Sequence, residues 1–196
     1  MSSGLILASG SAARRAMLAG AGVTFDVIPA DLDEEAVKAA HTGGPIALAL
    51  DLARAKAETV SALHPGRLTL GSDQTLAFDG EVLSKARSID EARERLTAMA
   101  GRIHHLHSGV ALARDGQTLW STVETAGLTM RSFSAAFLDD YLAVEGEAAL
   151  GSVGTYRLEG LGAQLFERID GDYFTILGMP LWPVLTALRA EGILAT

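Results

Sequence analysis

The chain has 196 residues, and 48% of them are apolar, which is enough for a buried core and argues against intrinsic disorder. Its formal net charge of −8 leaves no general basic surface for nucleic acid or an anionic membrane, so a phosphate site needs a local cluster of cations. The absence of cysteine excludes a disulfide framework and a thiolate nucleophile.

Targeting signals do not stand out in the sequence. No run of about 18 apolar residues occurs, so no membrane-spanning helix is predicted. The amino terminus also lacks the cationic and apolar regions of a secretory signal. We therefore expect one domain spanning residues 1–196 in the cytoplasm, with neither a membrane nor a nucleic acid as partner.

The first twenty residues predict a strand over 5–8 and a helix over 12–21, joined by a small polar loop. Small residues let the loop backbone approach a ligand, and the first N–H groups of a helix favour an anion. Arg14 and Arg15 add guanidinium groups, which match phosphate oxygens in a two-pronged way. The pattern indicates a phosphate site at the end of the first strand. The alternative is an ordinary strand-to-helix turn with surface arginines.

An acidic segment follows the second predicted strand, which covers residues 23–28. Four carboxylates stand within residues 31–35, and oxygen ligands of this kind suit a divalent cation. The alternative is a helix start, in which Asp33 caps the helix and the glutamates complement its dipole.

Two further residues invite a functional interpretation. Lys56 lies in a helix predicted over 45–63 and has alanine neighbours, so its stem either follows packed surface into a pocket or is simply solvated. Asp73 lies in a strand predicted over 68–78, where aspartate is disfavoured. A buried carboxylate at a strand end can hold a metal or take a proton from water, and the alternative is a turn-forming aspartate. An aspartate-glycine hairpin signal then predicts that Lys85 returns beside Asp73.

Strands and helices continue to the end of the chain. The predicted elements are a helix over 88–99 with a capping box, strands over 102–113 and 117–131, a helix over 135–144, a strand over 174–177, and a closing helix with Pro180 in its first turn. Glycines crowd residues 151–163, which indicates a tight loop that passes close to another group. His104, His105 and His107 do not share one strand face, and this spacing does not favour zinc.

Six motifs occur in a fixed order. They are Leu7-Ala8-Ser9-Gly10-Ser11 with Arg14-Arg15, Leu52-Ala53-Arg54-Ala55-Lys56-Ala57, Gly71-Ser72-Asp73-Gln74, Gly101-Arg102-Ile103-His104, Gly154-Thr155-Tyr156-Arg157-Leu158-Glu159-Gly160-Leu161-Gly162, and Gly171-Asp172-Tyr173 with Gly178-Met179-Pro180-Leu181. Through them the chain resembles the Maf family, whose members look like nucleoside triphosphate pyrophosphatases. The resemblance covers essentially the whole chain. It implies an α/β fold in which a mixed, elongated sheet with flanking helices forms two lobes around a cleft.

The resemblance also implies a reaction and a set of site residues. The reaction is hydrolysis of a nucleoside triphosphate between its α and β phosphates with Mg²⁺ or Mn²⁺, giving a monophosphate and pyrophosphate. The implied roles are phosphate binding by Ser9, Ser11, Arg14 and Arg15, charge neutralisation by Lys56 and Lys85, and binding of the cation and the attacking water by Glu34 and Asp73, with Asp73 as proton acceptor. A homodimer is implied as well.

Three positions of the family sort nucleobases, and here they are Ala13, Gln74 and Glu159. The pair of Gln74 and Glu159 resembles the branch that acts on 7-methyl-GTP, since a glutamate can accept hydrogen bonds from guanine N–H groups. Ala13 departs from that branch, which carries a bulky aromatic side chain there, so the base preference stays open.

Two other interpretations also stay open. One is a nucleotide-binding regulator of septum formation without significant catalysis. The other is a generic phosphate-binding module, which would be favoured if the acidic segment lay far from Asp73.

Overall fold

The structure is a computed structural model that describes residues 4–195. The chain divides into two compact units. Unit 1 comprises Met1–Gln74, His107–Thr125 and Asp172–Thr196, and unit 2 comprises Thr75–Leu106 and Ala126–Gly171. The expected arrangement of two lobes around a cleft, and the expectation of a single domain, stay predictions.

The helices and strands alternate along the chain. The helices are α1 (Ala12–Gly20), α2 (Glu34–Ala40), α3 (Pro45–Leu63), α4 (Ile89–Met99), α5 (Ala135–Glu145), α6 (Tyr173–Ile176) and α7 (Leu181–Ala190), with 3₁₀ helices at Gly146–Gly151 and Leu161–Leu165. The strands are β1 (Leu5–Leu7), β2 (Asp26–Val27), β3 (Leu68–Phe78), β4 (Glu81–Leu83), β5 (Ile103–Arg114), β6 (Gln117–Met130) and β7 (Phe166–Asp170). Within residues 4–195, no helix is both long and apolar enough to cross a membrane.

The strands form a mixed sheet in the order β2-β1-β3-β5-β6-β7, with β4 paired to β3. β1 is parallel to β2 and β3, whereas β4 is antiparallel to β3 and β7 to β6. The predicted α/β class with a mixed sheet is therefore confirmed. The sequence missed β7, and the strand predicted over 23–28 is reduced to the two residues of β2.

The core of unit 1 follows from side-chain alternation along β1. Leu5 and Leu7 are fully buried on the face that packs against α1 and α7. Ile6 points to the opposite face, where it packs with Val60 of α3. Leu70 of β3 joins the same cluster as Leu5 and Leu7, because β3 runs parallel to β1. Each such side chain contributes about 1.5–3 kcal/mol by leaving water, before the opposing entropy is counted.

Two glycines allow α3 to lie directly on the sheet. A Cβ atom at Gly71 would lie 2.2 Å from the carbonyl oxygen of Ala53, and one at Gly109 would lie 2.3 Å from that of Ala49. Both distances are far below any van der Waals contact, so only glycine fits at these positions of β3 and β5. This backbone-to-backbone packing sets how far each α3 side chain is from β3.

In unit 2, the predicted hairpin and the serine cap of the predicted capping box both form, whereas the glutamate of that box bonds a different N–H. A turn at Asp79 and Gly80 pairs β3 with β4. The Oγ of Ser88 caps α4 by accepting a hydrogen bond from the N–H of Glu91 at 3.1 Å. The carboxylate of Glu91 reaches back one residue further than the motif predicts, to the N–H of Arg87 at 2.9 Å.

The prediction of a strand over residues 174–177 is wrong, since α6 occupies this stretch. The side chain of Asp172 accepts a hydrogen bond from the N–H of Thr175 at 3.0 Å, which starts a short helix. A stretch of four residues, three of them apolar, fits a strand and a helical turn equally well, and the capping aspartate decides between them. Pro180 stands one residue before α7 as its N-cap rather than inside the first turn.

His104 of β5 is fully buried in unit 2. Its Nε2 lies 2.7 Å from the hydroxyl oxygen of Tyr156, and within the described residues its Nδ1 has no hydrogen-bond partner. Burial, with a smaller contribution from the neighbouring His105, lowers the pKa of His104 to about 4. The imidazole is therefore neutral in the folded protein at pH 7.

We predict that Gly71→Ala destabilises the protein while Gly20→Ala does not. The new methyl group at position 71 meets backbone oxygen, so α3 must shift, at a cost of about 1–3 kcal/mol or more in the free energy of unfolding. No atom lies within 4 Å of a Cβ at position 20 at the end of α1, where alanine is expected to be neutral or stabilising by up to about 1 kcal/mol. Urea unfolding followed by circular dichroism measures both variants, and equal stabilities would contradict the close packing of α3.

We predict that His104 makes the protein less stable in acid. The unfolded chain protonates this histidine near pH 6.5 and the folded chain only near pH 4, so the unfolded state binds more protons between these values. The free energy of unfolding should therefore fall as the pH drops from 6.5 to 4, by about 3 kcal/mol in total. His104→Gln, which does not titrate, should lose this part of the pH dependence in urea unfolding measured at successive pH values. An unchanged slope in the variant would contradict the prediction.

Candidate functional site

A single ammonium group joins two acidic side chains in unit 1. The Nζ of Lys56, on α3, lies 2.7 Å from Oε1 of Glu34 and 2.6 Å from Oδ1 of Asp73. The Lys56 and Asp73 side chains are 12% and 13% exposed, whereas Glu34 is 41% exposed. Since both carboxylates contact the same nitrogen, the acidic segment lies close to Asp73. The condition that would favour a generic phosphate-binding module therefore does not hold.

The acidic segment serves two purposes at once. Asp33 caps α2 by accepting a hydrogen bond from the N–H of Ala36 at 3.0 Å, as expected for a helix start. Glu34 is the first residue of that helix, and its side chain reaches Lys56. Glu35 instead pairs with a lysine of its own helix.

Alternation along β3 distributes its polar side chains between the two faces of the sheet. Asp73 faces α3, where the close packing at Gly71 brings Lys56 within reach. Ser72 and Gln74 face the other side, where they contact residues of the segment 175–178. Ser72 and Gln74, which flank Asp73 in the motif, therefore contact a different part of unit 1 from Asp73 itself.

Arg14 of α1 binds three oxygen atoms. Its Nε donates to the carbonyl oxygen of Gly178 at 2.9 Å, and its Nη1 donates to the carbonyl oxygen of Ser72 at 2.9 Å and to Oγ of Ser9 at 3.1 Å. Gly178 has a φ of 104°, a backbone conformation that favours glycine, and a Cβ there would lie 3.3 Å from Nη2 of Arg14. These contacts fix the guanidinium between α1, β3 and the loop before α7.

The electrostatic surroundings of Arg14 include both acidic residues of the site. Burial lowers the pKa of the Arg14 guanidinium, and the charges of Asp73 and Glu34 oppose that effect. An arginine stays protonated in any protein environment, so Arg14 keeps its charge. Its Nη2 makes no hydrogen bond with the residues described by the structure. The Oγ of Ser9 accepts from Arg14 and, at 3.3 Å, from the N–H of Ser11, so its hydroxyl hydrogen remains as a donor.

The other candidates in α1 are placed differently. Ser11 is the N-cap of the helix, and its Oγ accepts from the N–H of Arg14 at 3.4 Å. Arg15 is exposed, and Ala13 is partly exposed in the first turn. Phosphate binding by Ser11 and Arg15, and base selection by Ala13, stay predictions.

The amide nitrogen of Gln74 is surrounded by oxygen atoms. Its Nε2 lies 3.0 Å from Oγ of Ser108, 3.0 Å from the carbonyl oxygen of Thr175 and 3.1 Å from that of Ile176. The side chain of Gln74 is therefore anchored to the carbonyl groups of α6.

Lys85 and Glu159 belong to unit 2. Lys85 is exposed between β4 and α4, and Glu159 is exposed in the loop between the two 3₁₀ helices. The expected position of Lys85 beside Asp73, and the expected contribution of Glu159 to base selection, stay predictions.

The glycine-rich loop that carries Glu159 has the tight packing that its sequence predicts. Thr155 adopts a φ of 59° and is fully buried, and its carbonyl oxygen accepts a hydrogen bond from the hydroxyl of Tyr141 at 3.2 Å. Nη2 of Arg157 lies 2.9 Å from the buried carboxylate of Glu145. A Cβ at Gly162 would lie 2.5 Å from the carbonyl oxygen of Arg157, so the chain passes close to itself.

The donor set can be compared with the needs of a divalent cation. Within residues 4–195, no group of three or more histidine, cysteine, aspartate or glutamate side chains could hold a metal ion by itself. Glu34 and Asp73 offer two carboxylates that converge on one point. Magnesium is usually bound by one or two carboxylates together with phosphate oxygens and waters, so these residues fit a cation that completes its coordination on a phosphate ligand.

The sequence did not single out Ser108 or Thr175. Both are fully buried polar residues, and both contact Gln74. The one available signal was a serine just before the apolar end of β5, where an unpaired buried hydroxyl would be costly.

Comparisons with known proteins agree on one family. Residues 4–191 match the family model described as Maf-like protein. The chain is 50% identical over 190 residues to a nucleoside triphosphate pyrophosphatase of Maricaulis maris, covering 96% of this chain and 97% of that protein. It is 52% identical over 193 residues to a nucleoside triphosphate pyrophosphatase of Granulibacter bethesdensis, covering 97% and 98%. It is also 48% identical over 195 residues to a 7-methyl-GTP pyrophosphatase of Mesorhizobium japonicum, covering 98% of each chain.

These matches run through the motifs that build the site. The family model begins at Gly4, before the loop that holds Ser9 and Arg14, and extends beyond Gly178. The chain belongs to the Maf family.

Proposed function

We propose that this protein hydrolyses nucleoside triphosphates to a nucleoside monophosphate and pyrophosphate. The observation that carries the proposal is the shared contact of Lys56 with Glu34 and Asp73, next to the charge of Arg14. The similar proteins are named as pyrophosphatases, which supports the same reaction class and does not favour the alternative of a regulator without catalysis.

Phosphate binding is assigned to the loop between β1 and α1. The free Nη2 of Arg14 and the hydroxyl hydrogen of Ser9 are donors with no acceptor of their own among the described residues. Charged donors that are fixed before the substrate arrives stabilise phosphate charge without reorganising during the reaction. Ser11 and Arg15 are proposed as secondary phosphate contacts, and Lys85 as a further neutralising cation.

Asp73 is proposed as the proton acceptor. Lys56 contacts Oδ1 of Asp73, which leaves Oδ2 for a water molecule. The oxygen of this water bonds to a phosphorus atom of the α–β anhydride, the bridging P–O bond breaks, and the water proton passes to Asp73. Arg14 and Lys56 stabilise the negative charge that collects on the phosphate oxygens and on the departing pyrophosphate.

Glu34 and Asp73 are the residues proposed to hold Mg²⁺ or Mn²⁺. A divalent cation, when bound, supplies a Lewis acid that neutralises phosphate charge. Before any such binding, the ammonium of Lys56 supplies the positive charge between the two carboxylates.

The base preference is proposed to lie with guanine-type nucleotides, including 7-methyl-GTP. The proposal is based on Gln74 and Glu159, a pair that resembles the branch acting on 7-methyl-GTP. Ala13 lacks the aromatic ring that would stack on a base. A cytoplasmic location is a further expectation from the sequence, and a homodimer is one from the family resemblance.

We predict that Asp73→Asn loses pyrophosphatase activity. The amide cannot accept the water proton, so kcat should fall about 100-fold or more in an assay of pyrophosphate release with and without Mg²⁺. Asp26→Asn is the matched control, because it weakens a different ion pair of unit 1, with Arg67, and should keep kcat within about twofold. Full activity of the Asp73→Asn variant would contradict the assigned base.

If the unmodified protein binds several nucleotides and hydrolyses none, the regulator interpretation is correct instead.

We predict that Ala13→Trp sharpens the preference for 7-methyl-GTP. A stacked aromatic side chain contributes about 1–3 kcal/mol to base binding, so kcat/KM for 7-methyl-GTP should rise by roughly tenfold relative to UTP. Ala13→Leu, which adds bulk without an aromatic ring, is the control. An unchanged ranking of substrates would remove Ala13 from the base pocket.

A further inference from the structure

The orientation of the Gln74 amide follows from its neighbours. Two of the three oxygens around Nε2 are the carbonyl groups of Thr175 and Ile176, which can only accept hydrogen bonds. The opposite orientation would place the amide oxygen of Gln74 against two carbonyl oxygens and leave the carbonyls without these donors. The amide must therefore direct its NH₂ group toward α6.

Ser108 completes the same network. Its Oγ donates to the carbonyl oxygen of Thr175 at 2.7 Å, so its single hydrogen is used. Only the lone pairs of this hydroxyl remain for Gln74, and Nε2 of Gln74 lies 3.0 Å away. Ser108 thus acts as a third acceptor and would repel an amide oxygen in that place.

The position of Thr175 is itself fixed by independent contacts. Its N–H donates to Asp172 at 3.0 Å, and its Oγ1 donates to Oε2 of Glu124 at 3.1 Å. The carbonyl group that Gln74 contacts therefore does not depend on Gln74 alone for its location.

The two hydrogens of the Gln74 amide are thus shared among three acceptors, and none is left for a ligand. The amide oxygen makes no hydrogen bond with the residues that the structure describes, and Gln74 is partly exposed. We infer that Gln74 contacts the nucleobase only as a hydrogen-bond acceptor, and that Ser108 is a positioning residue that keeps the amide in this orientation. This inference rests on the proposed function.

An acceptor in this position discriminates by chemistry. Guanine presents a ring N–H and an amino group on one edge, and both are donors that an amide oxygen can satisfy. Adenine presents a ring nitrogen acceptor at the corresponding ring position, which would face the oxygen of Gln74 without a hydrogen between them. The site should therefore favour bases that present a ring N–H on this edge, because a ring nitrogen in that place leaves the amide oxygen of Gln74 without a donor.

The test compares GTP with ATP as substrates, and GMP with AMP as ligands in calorimetric titrations. We expect the unmodified protein to favour the guanine nucleotides at least about tenfold. Gln74→Met keeps the length of the side chain but offers no amide oxygen, and should reduce this preference about tenfold. Ser108→Ala should reduce it about threefold.

Ser121→Ala is the matched control for Ser108→Ala. It removes a hydroxyl that accepts hydrogen bonds from Arg54 in the same unit, and it should leave the guanine preference unchanged. Thermal unfolding identifies any variant that loses activity by losing its fold. A nuclear magnetic resonance spectrum of the side-chain amides gives a direct readout, in which the NH₂ signals of Gln74 should exchange slowly and should exchange faster in Ser108→Ala.

Several results would overturn the inference. They are an equal or reversed preference in the unmodified protein, an equal loss for GTP and ATP in Gln74→Met, or an unchanged preference in Ser108→Ala. Binding of GMP and AMP needs no hydrolysis, so it tests the acceptor role of Gln74 even if the protein releases no pyrophosphate. A protein that releases no pyrophosphate would contradict the proposed function and would leave this inference standing on the binding data.

Discussion

The ammonium group of Lys56 is the contact on which the arrangement of the site depends. Two carboxylates from different parts of the chain approach the same nitrogen, and without it they would repel each other in a partly buried place. Removing charges from water is costly, and here the cost is offset because a cation lies within hydrogen-bond distance of both acids. The positions of α2, α3 and β3 in unit 1 are therefore coupled through one side chain.

Side chains alternate along β3, and this places its polar groups on opposite faces of the sheet. Asp73 faces α3 and the acidic helix start, whereas Ser72 and Gln74 face the loop that precedes α7. Arg14 binds the carbonyl oxygen of Ser72, within β3, and that of Gly178, and the charge of Asp73 acts on it. Three consecutive residues of one strand thus contribute a backbone carbonyl that anchors Arg14, a carboxylate paired with Lys56, and a fixed amide.

Much of this was predictable from local patterns. The bounds of α3 and β3, the hairpin after β3 and the serine cap of α4 all follow from periodicity and turn chemistry, and the structure confirms them. The strand expected at 174–177 is wrong because four residues, three of them apolar, are too few to show a period, and the capping contact of Asp172 starts a helix there. The anchoring of Gln74 could not be foreseen, since its partners lie 34, 101 and 102 residues away along the chain. A sequence pattern shows which side chains are present. It does not show which of their hydrogen-bond donors are already used by residues far away along the chain, and therefore which donors are left for a ligand.

The paired glycines beneath α3 have a consequence for how sequences of this kind can diverge. Contacts between side chains can be repaired by a compensating substitution on the partner, but Gly71 and Gly109 meet carbonyl oxygens of the main chain, which no substitution removes. Positions 71 and 109 are therefore closed to larger side chains as long as α3 keeps this contact. A side chain at either position would move α3, and with it Lys56, away from the sheet. Glycine at both positions is therefore expected in distantly related proteins that keep the same contact between helix and sheet, even where their charged residues differ.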